Sequence, residues 1–186
     1  MSTAKLIIVG PCKSGKTYFA NFLASSTTAS SGEYYPTKGV RILEFSSATN
    51  LPQTGKPVDC EIELWDCSGD RTYEACWPAI TNGAQGVLLL YNQDQFEAYE
   101  VESFYKDFVG KIGLKEYQCL LIANKKSSVQ GRTIPSPIPN VKQIHTDLGQ
   151  DPDYVRTEFN EFLGRIFSGI KNVQDQEELG IVGNTQ

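Results

Sequence analysis

The strongest constraint on the fold is a glycine-rich stretch that lies between an apolar run and an amphipathic run near the N-terminus. Residues 10–17, GPCKSGKT, match the pattern G-x-x-x-x-G-K-[S/T]. This pattern wraps phosphate groups when a buried strand precedes it and a helix follows it. Residues 5–9 predict that strand, and residues 15–24 predict that helix. The motif therefore favours a strand–loop–helix unit at the start of an α/β fold.

Apolar and amphipathic runs alternate along the rest of the chain, which predicts a largely parallel sheet. Further strands are predicted at residues 40–45, 58–65, 86–91, 118–123 and 141–145. Within residues 58–65 the apolar side chains alternate with Asp59, Glu61 and Glu63, so one face of that strand is predicted to be buried. The acidic row on the other face is either a solvated surface or a binding surface.

Apolar spacing also predicts two later helices. Apolar side chains recur at helical spacing from Val101 to Val109, directly before Gly110. A last helix is predicted to start at Asp151 and Pro152 and to end at residue 170. The sequence then becomes polar and acidic, so we expect one domain over residues 1–171 and a disordered tail over residues 172–186.

Three short motifs, in this order, predict a site for phosphate groups and Mg²⁺. Glycines in the loop allow successive backbone N–H groups to point at phosphate oxygens, and the lysine and threonine that follow reach the phosphates and the metal. A threonine in a later loop can close over the metal, and a D-x-x-G motif at a strand end can hold it through water. The predicted phosphate-binding residues are Gly10, Pro11, Cys12, Lys13, Ser14, Gly15, Lys16, Thr17, Tyr18 and Gly69, and the predicted metal ligands are Thr17, Thr37 and Asp66.

Composition argues against several other classes of protein. A net charge of −5 disfavours a nucleic-acid binder, which needs a basic face. Five cysteines without a C-x-x-C pair indicate reduced thiols in the cytoplasm rather than a metal site. The single histidine, His145, is better explained as a strand-end residue than as a catalyst. We expect no direct membrane anchor, because Ser2 replaces the glycine of myristoylation and the C-terminus carries no cysteine.

The order of these motifs resembles that of the Ras-like small GTPases over residues 5–170. A closer resemblance, to the small GTPase-like, Rab-like subunits of intraflagellar transport complex B, is carried by residues 9–17, 36–45, 63–67, 76–79 and 121–123. It implies a Ras-like P-loop NTPase domain with a mostly parallel six-stranded sheet, one antiparallel edge strand and helices on both faces. It also implies that Thr37 belongs to switch I, that Asp66 and Gly69 belong to switch II, and that Asn124 and Lys125 border the base.

The same resemblance implies a function and a location. Members of that group bind GTP or GDP with Mg²⁺ and are understood to dock on the coiled-coil pair of intraflagellar transport proteins 74 and 81. The chain is therefore expected to be an adaptor in ciliary or flagellar transport and assembly. It is expected in the cytoplasm, in the cilium or flagellum and at its base.

Two departures from active Ras-like enzymes predict weak or absent hydrolysis. Asp70 follows Gly69, where active enzymes carry a glutamine that orients the attacking water, and a carboxylate there is repelled by the γ-phosphate. Cys12 stands at a loop position that is usually glycine in fast hydrolysers, and a side chain there crowds the transition state. We therefore identify no catalytic residue and expect very slow turnover.

Two more departures lie near the base. Ser127 replaces the aspartate of the guanine-reading motif Asn-Lys-x-Asp, and a hydroxyl can donate or accept a hydrogen bond. We hypothesise a relaxed choice of base, in which ATP or ADP competes with GTP or GDP. Pro135, Pro137 and Pro139 disfavour a helix within residues 125–140, so the helix between the last two strands is expected to be short or missing.

Three functions are compatible with these features. The preferred one is a nucleotide-stabilised adaptor whose residues 34–37 and 69–79 are recognised by a protein partner, with Trp77 either an exposed anchor or part of the core. The alternative is a catalytically active Rab- or Arf-like regulatory GTPase in vesicle trafficking, against which the expected lack of a lipid anchor and the hydrolysis departures argue. A phosphotransferase is the third, but the arginines are scattered and no lid insertion is apparent.

Overall fold

Strands and helices alternate along the chain in a computed structural model that describes residues 2–25, 35–125 and 135–183, with side chains described up to residue 172. The strands are β1 (Ser2–Val9), β2 (Val40–Asn50), β3 (Pro57–Cys67), β4 (Gly86–Asn92), β5 (Cys119–Asn124) and β6 (Lys142–Thr146). The α-helices are α1 (Lys16–Leu23), α2 (Trp77–Thr81), α3 (Ala98–Tyr105) and α4 (Pro152–Gly183). A 3-10 turn at Arg71–Cys76 precedes α2, and a π-helical turn at Lys106–Gly110 extends α3.

The described strands form one sheet in the order β2-β3-β1-β4-β5-β6. β2 pairs antiparallel with β3, and all other neighbours are parallel. The predicted mostly parallel sheet with one antiparallel edge strand is confirmed. The carboxyl ends of the five parallel strands therefore meet at one edge of the sheet, and β2 begins at that same edge.

Helices cover both faces of the sheet, as expected. Alternate residues of β1 enter two separate apolar clusters: Leu6 and Ile8 face α1 and α4, whereas Ile7 and Val9 face α2 and α3. β4 and β5 are buried on both faces, which explains their unbroken apolar sequences. The two clusters hold the sheet rigid and leave its carboxyl edge to the connecting loops.

Trp77 belongs to the core, so the alternative that it is an exposed anchor is wrong. Its side chain is only 7% exposed. The indole ring packs against the rings of Phe108 and Phe104, with centroids 4.7 and 6.0 Å away. The Arg71 guanidinium carbon lies 5.4 Å from the centroid of the same indole ring. Trp77 thus packs α2 against α3 and the π-helical turn that extends it, because removing an aromatic ring from water and pairing it with other rings is favourable.

The segment before β6 contributes to the core without forming a helix. Residues 135–141 contain no helix. The rest of the segment in which the helix was expected to be short or missing, residues 126–134, lies outside the described part of the chain. Ile138 and Val141 are buried in the cluster that contains α3. Within the described residues the expectation of a missing helix therefore holds, and two apolar side chains cover this part of the sheet.

The last helix extends further than the predicted boundary. α4 runs to Gly183 and includes most of residues 172–186, for which a disordered tail was expected. Residues 171–179 are mostly polar, but they contain neither proline nor glycine, so backbone propensity allows the helix to continue. Within the described ranges no helix is both long and apolar enough to cross a membrane.

A pair of glycines within α4 tests how closely this helix packs on the sheet. A Cβ on Gly164 would lie 2.5 Å from the Asn50 carbonyl oxygen, which is backbone, whereas a Cβ on Gly169 would meet the end of the Tyr117 side chain at 2.6 Å. Gly164→Ala should lower the free energy of unfolding by about 1–2 kcal/mol, since overpacking outweighs the gain in helix propensity. Gly169→Ala should cost less, because the partly exposed Tyr117 can move aside. Urea unfolding of both variants measures this difference. An equal loss of unfolding free energy in the two variants would contradict the close approach of Gly164 to the backbone of Asn50.

Candidate functional site

The loop between β1 and α1 lies directly against β4. Gly10 has φ +139°, and a Cβ there would lie 1.9 Å from the Leu90 carbonyl oxygen. Lys13 and Gly15 also have positive φ values of 60° and 101°. This backbone curl ends at the N-terminus of α1, where the N–H groups lack helical partners and favour an anion. The predicted phosphate-binding loop thus has the required shape.

Lys16 spans this loop from the first turn of α1. Its side chain is buried, and its Nζ donates hydrogen bonds to the carbonyl oxygens of Gly10 at 2.8 Å and Pro11 at 2.7 Å. An ammonium group held across a ring of backbone groups is positioned to meet a phosphate chain. Tyr18, two residues further along α1, is 59% exposed, so its ring is available to solvent beside the loop.

Gly69 brings the end of β3 onto the same loop. A Cβ at this position would lie 2.6 Å from the Cys12 nitrogen and 2.7 Å from the Gly10 carbonyl oxygen. Any side chain would push the two backbones apart, so glycine is required by the close approach. The structure therefore joins two motifs that are nearly 60 residues apart in the sequence into one backbone cradle.

The three predicted metal ligands converge beside this cradle. The hydroxyl oxygens of Thr17 and Thr37 are 2.9 Å apart. The Asp66 side chain is fully buried, and its Oδ1 has no hydrogen-bond partner among the described residues. Burial raises the pKa of Asp66, while the Thr17 hydroxyl, Arg41 and Lys16 act in the opposite direction. A buried carboxylate oxygen without a partner, on a side chain that the Thr17 hydroxyl also contacts, fits a cation.

The donor set fits Mg²⁺ better than a softer metal. All three side chains offer oxygen, which is the ligand that Mg²⁺ prefers, and Mg²⁺ usually keeps several waters and phosphate oxygens in its shell. Among the residues that the structure describes, no group of three or more His, Cys, Asp or Glu side chains could hold a metal ion. A site built from one carboxylate and two hydroxyls therefore depends on phosphate and water for the remaining ligands.

Arg41 is a residue at this site that the sequence analysis did not identify. It lies opposite Asp66 in the β2–β3 register, and its NH2 is 3.3 Å from Asp66 Oδ2 and 2.7 Å from Asn21 Oδ1. The available signal was alternation along β2, which places Arg41 on the same inward face as Leu43 and Phe45. An arginine at such a position needs a buried acceptor, and Asp66 is that acceptor.

Asp70 serves the local backbone. Its Oδ1 accepts a hydrogen bond from the Thr72 backbone nitrogen at 2.9 Å and so caps the 3-10 turn Arg71–Cys76. The Asp70 nitrogen in turn donates to the Ser68 hydroxyl at 3.1 Å. Asp70 is exposed, as is Cys12, whose backbone lies against the neighbouring Gly69. The residue at the usual glutamine position is therefore engaged as a helix cap.

The residues predicted to border the base lie at the end of β5, where one is bonded to the phosphate-binding loop and the other to β6. Asn124 Nδ2 donates to the Ser14 carbonyl oxygen at 2.9 Å, and Lys125 N donates to the Thr146 carbonyl oxygen at 2.9 Å. These bonds place Asn124 and Lys125 at the same sheet edge as the loop. Ser127 lies outside the described residues, so its predicted contact with the base stays a prediction.

His145 has structural partners. Its Nδ1 is 3.0 Å from Gln93 Oε1, and its Nε2 is 3.2 Å from Gln143 Nε2. Gln143 Oε1 also accepts from the Tyr91 hydroxyl at 3.2 Å. This network crosses β5 above the small side chain of Ala123, which pairs with both Tyr91 and His145. The preference for a strand-end role over a catalytic one agrees with these contacts.

Comparisons with known proteins agree with this geometry. Residues 5–127 match the family model "Ras of Complex, Roc, domain of DAPkinase". The chain is 41% identical to an intraflagellar transport protein 22 homolog of Danio rerio and 40% identical to that of Homo sapiens, over 98% of this chain and 100% of each relative. A GTP-bound crystal structure of T. brucei IFT22/74/81 covers 93% of this chain and 99% of its own, with TM-score 0.75 and 23% identity. The GDP-bound T. brucei IFT22 crystal structure covers 90% and 98%, with TM-score 0.67.

Proposed function

Because this chain belongs to the intraflagellar transport protein 22 family, we propose that it is a nucleotide-binding, small GTPase-like adaptor subunit of intraflagellar transport complex B. The observation that carries the nucleotide part is the convergence of Thr17, Thr37 and Asp66 beside a backbone cradle shaped for phosphate. The family supplies the transport context. The site of action is accordingly the cytoplasm and the cilium or flagellum with its base.

The ligand is a guanine nucleotide with Mg²⁺. Crystal structures of the T. brucei relative contain GTP or GDP, and the present chain has the loop geometry to hold such phosphates. Thr17, Thr37 and Asp66 would hold the metal, which neutralises charge on the phosphate oxygens when it is bound. Thr37 belongs to the segment that leads into β2, so a metal contact there connects the nucleotide to the surface of the protein.

Base choice is the finer part of the proposal, and a titration of both purine nucleotides tests it. Serine at position 127 removes a charged acceptor, which is worth about 1.5–3 kcal/mol of discrimination. We expect GDP to bind more tightly than ADP by less than about a thousandfold. The measurement is competition against a fluorescent nucleotide with saturating Mg²⁺, and Ser127→Asp should widen the ratio. A larger preference in the unmodified chain would contradict the relaxed choice, and no binding of either nucleotide would contradict the proposed ligand.

Slow hydrolysis is proposed because Asp70 is occupied as a cap and carries a negative charge. In single-turnover assays we expect a rate below about 10⁻⁴ per second, slower than the intrinsic rate of a Ras-type enzyme. Asp70→Gln should raise the rate, since a neutral amide can orient water. Glu74→Gln, which removes a charge from the same exposed turn, should leave it unchanged. Fast turnover by the unmodified chain would favour the vesicle-trafficking GTPase instead.

An adaptor needs a surface that responds to the nucleotide, and the residues around Thr37 supply one. Tyr35 is 71% exposed and Ile42 is 48% exposed, on either side of the predicted metal ligand. Exposed aromatic and aliphatic side chains are favourable interface residues. We place the partner here rather than at Trp77, which is buried. The partner is the coiled-coil pair of intraflagellar transport proteins 74 and 81, by analogy with the T. brucei IFT22/74/81 complex.

Co-purification with that coiled-coil pair tests the adaptor role. Thr17→Asn should reduce capture severalfold compared with the unmodified chain, because it removes a metal-ligating hydroxyl and so weakens nucleotide binding. Thr157→Asn, on the exposed face of α4, is the matched control and should bind normally. Equal capture by all three proteins would show that docking ignores the nucleotide. No capture of the pair by the unmodified chain would contradict the proposed partner.

A further inference from the structure

We propose that Arg41 is a built-in counter-ion for Asp66 that holds this carboxylate when no metal is bound and thereby weakens Mg²⁺ binding. The inference deepens the proposed nucleotide-binding function and rests on it. Arg41 is a positioning residue in this scheme, because it acts on the metal through the side chain of Asp66. The consequence is a nucleotide site whose metal affinity is set by a residue on the edge strand.

The geometry of the pair supports this role. Arg41 NH2 lies 3.3 Å from Asp66 Oδ2, and the Asp66 side chain is 0% exposed against 37% for Arg41. Asn21 on α1 accepts from the same guanidinium nitrogen at 2.7 Å and fixes its position. Arg41 therefore occupies one oxygen of the carboxylate, while the other, Oδ1, is left without a hydrogen-bond partner.

A second observation is that the ion pair between Arg41 and Asp66 leaves a buried donor unsatisfied. The Arg41 Nε is also buried without a hydrogen-bond partner. A guanidinium that served structure alone would be expected to satisfy this donor, because leaving it buried and unpaired is unfavourable. The arrangement is thus not an optimised ion pair. It is held in place by the backbone register of β2 with β3, which sets Arg41 opposite Asp66.

Electrostatics determines the sign of the effect on the metal. The guanidinium is a cation, so the carboxylate of Asp66 has a positive charge beside it. A magnesium ion at Asp66 must approach that fixed charge and is repelled by it. When the metal leaves, Asp66 is not an uncompensated buried charge, so the site stays folded. Removing the charge of Arg41 should therefore strengthen Mg²⁺ binding, whereas a purely structural residue would weaken it when removed.

The test measures the free Mg²⁺ concentration at which release of a fluorescent GDP is half-suppressed, in metal-buffered solutions. Arg41→Gln should lower this concentration by about three- to tenfold compared with the unmodified chain. Arg41→Lys keeps the charge and should stay near the unmodified value. Lys142→Gln, which removes a positive charge at β6 on the opposite edge of the sheet, is the matched control and should not change it.

Thermal unfolding provides a second measurement that does not depend on release rates. In the presence of a chelator, Arg41→Gln should melt at a lower temperature than the unmodified chain. Added Mg²⁺ with GDP should raise the melting midpoint of Arg41→Gln by more than it raises that of the unmodified chain. An unchanged or higher Mg²⁺ requirement for Arg41→Gln would overturn the inference while leaving nucleotide binding intact. If the unmodified chain bound no GDP at saturating Mg²⁺, the proposed function would fail and this inference with it. If Arg41→Gln does not fold, Arg41→Lys decides the question. This variant keeps the positive charge, so a higher Mg²⁺ requirement than in the unmodified chain would also overturn the inference.

Discussion

The buried carboxylate of Asp66 is the interaction around which the functional edge of the sheet is organised. A charge with no exposed surface needs cations or donors close to it. Here α1 provides Thr17 and β2 provides Arg41, so two elements adjacent to β3 converge on one side chain. The loop before α1 and the start of β2 are thereby tied to the same point.

Stability and function are separated in space in this fold. Two apolar clusters cover the faces of the sheet, whereas the site lies at the carboxyl edge, where loops meet. At that edge the contacts are between backbones: Gly10 lies against β4, and Gly69 lies against the loop around Cys12. Backbone contacts of this kind tolerate no side chain, so the shape of the site is insensitive to surface sequence but very sensitive to these glycines.

Much of the fold was predictable, because local patterns correspond to local structure. The apolar runs at β4 and β5 located those strands almost to the residue, since strands buried on both faces have continuous apolar sequences. β2 was predicted to end at residue 45 but continues to Asn50. Its polar second half has no apolar pattern of its own, and antiparallel pairing with β3 extends it. Likewise the core position of Trp77 depends on α3 packing over it, which its neighbours in the sequence do not reveal.

The functional site, like the fold, was predictable from the sequence only in part. Inspection of the sequence was enough to recognise the phosphate-binding loop and to nominate Thr37, Asp66 and Gly69, because each motif is short and its residue types follow from the chemistry of phosphate and Mg²⁺. Which side chains satisfy one another was decided by packing. Arg41 meets Asp66 across 25 residues, and Asn124 meets the Ser14 carbonyl across 110. Such partners are selected by strand register and sheet order, and these follow from the burial of the whole sheet rather than from any local pattern.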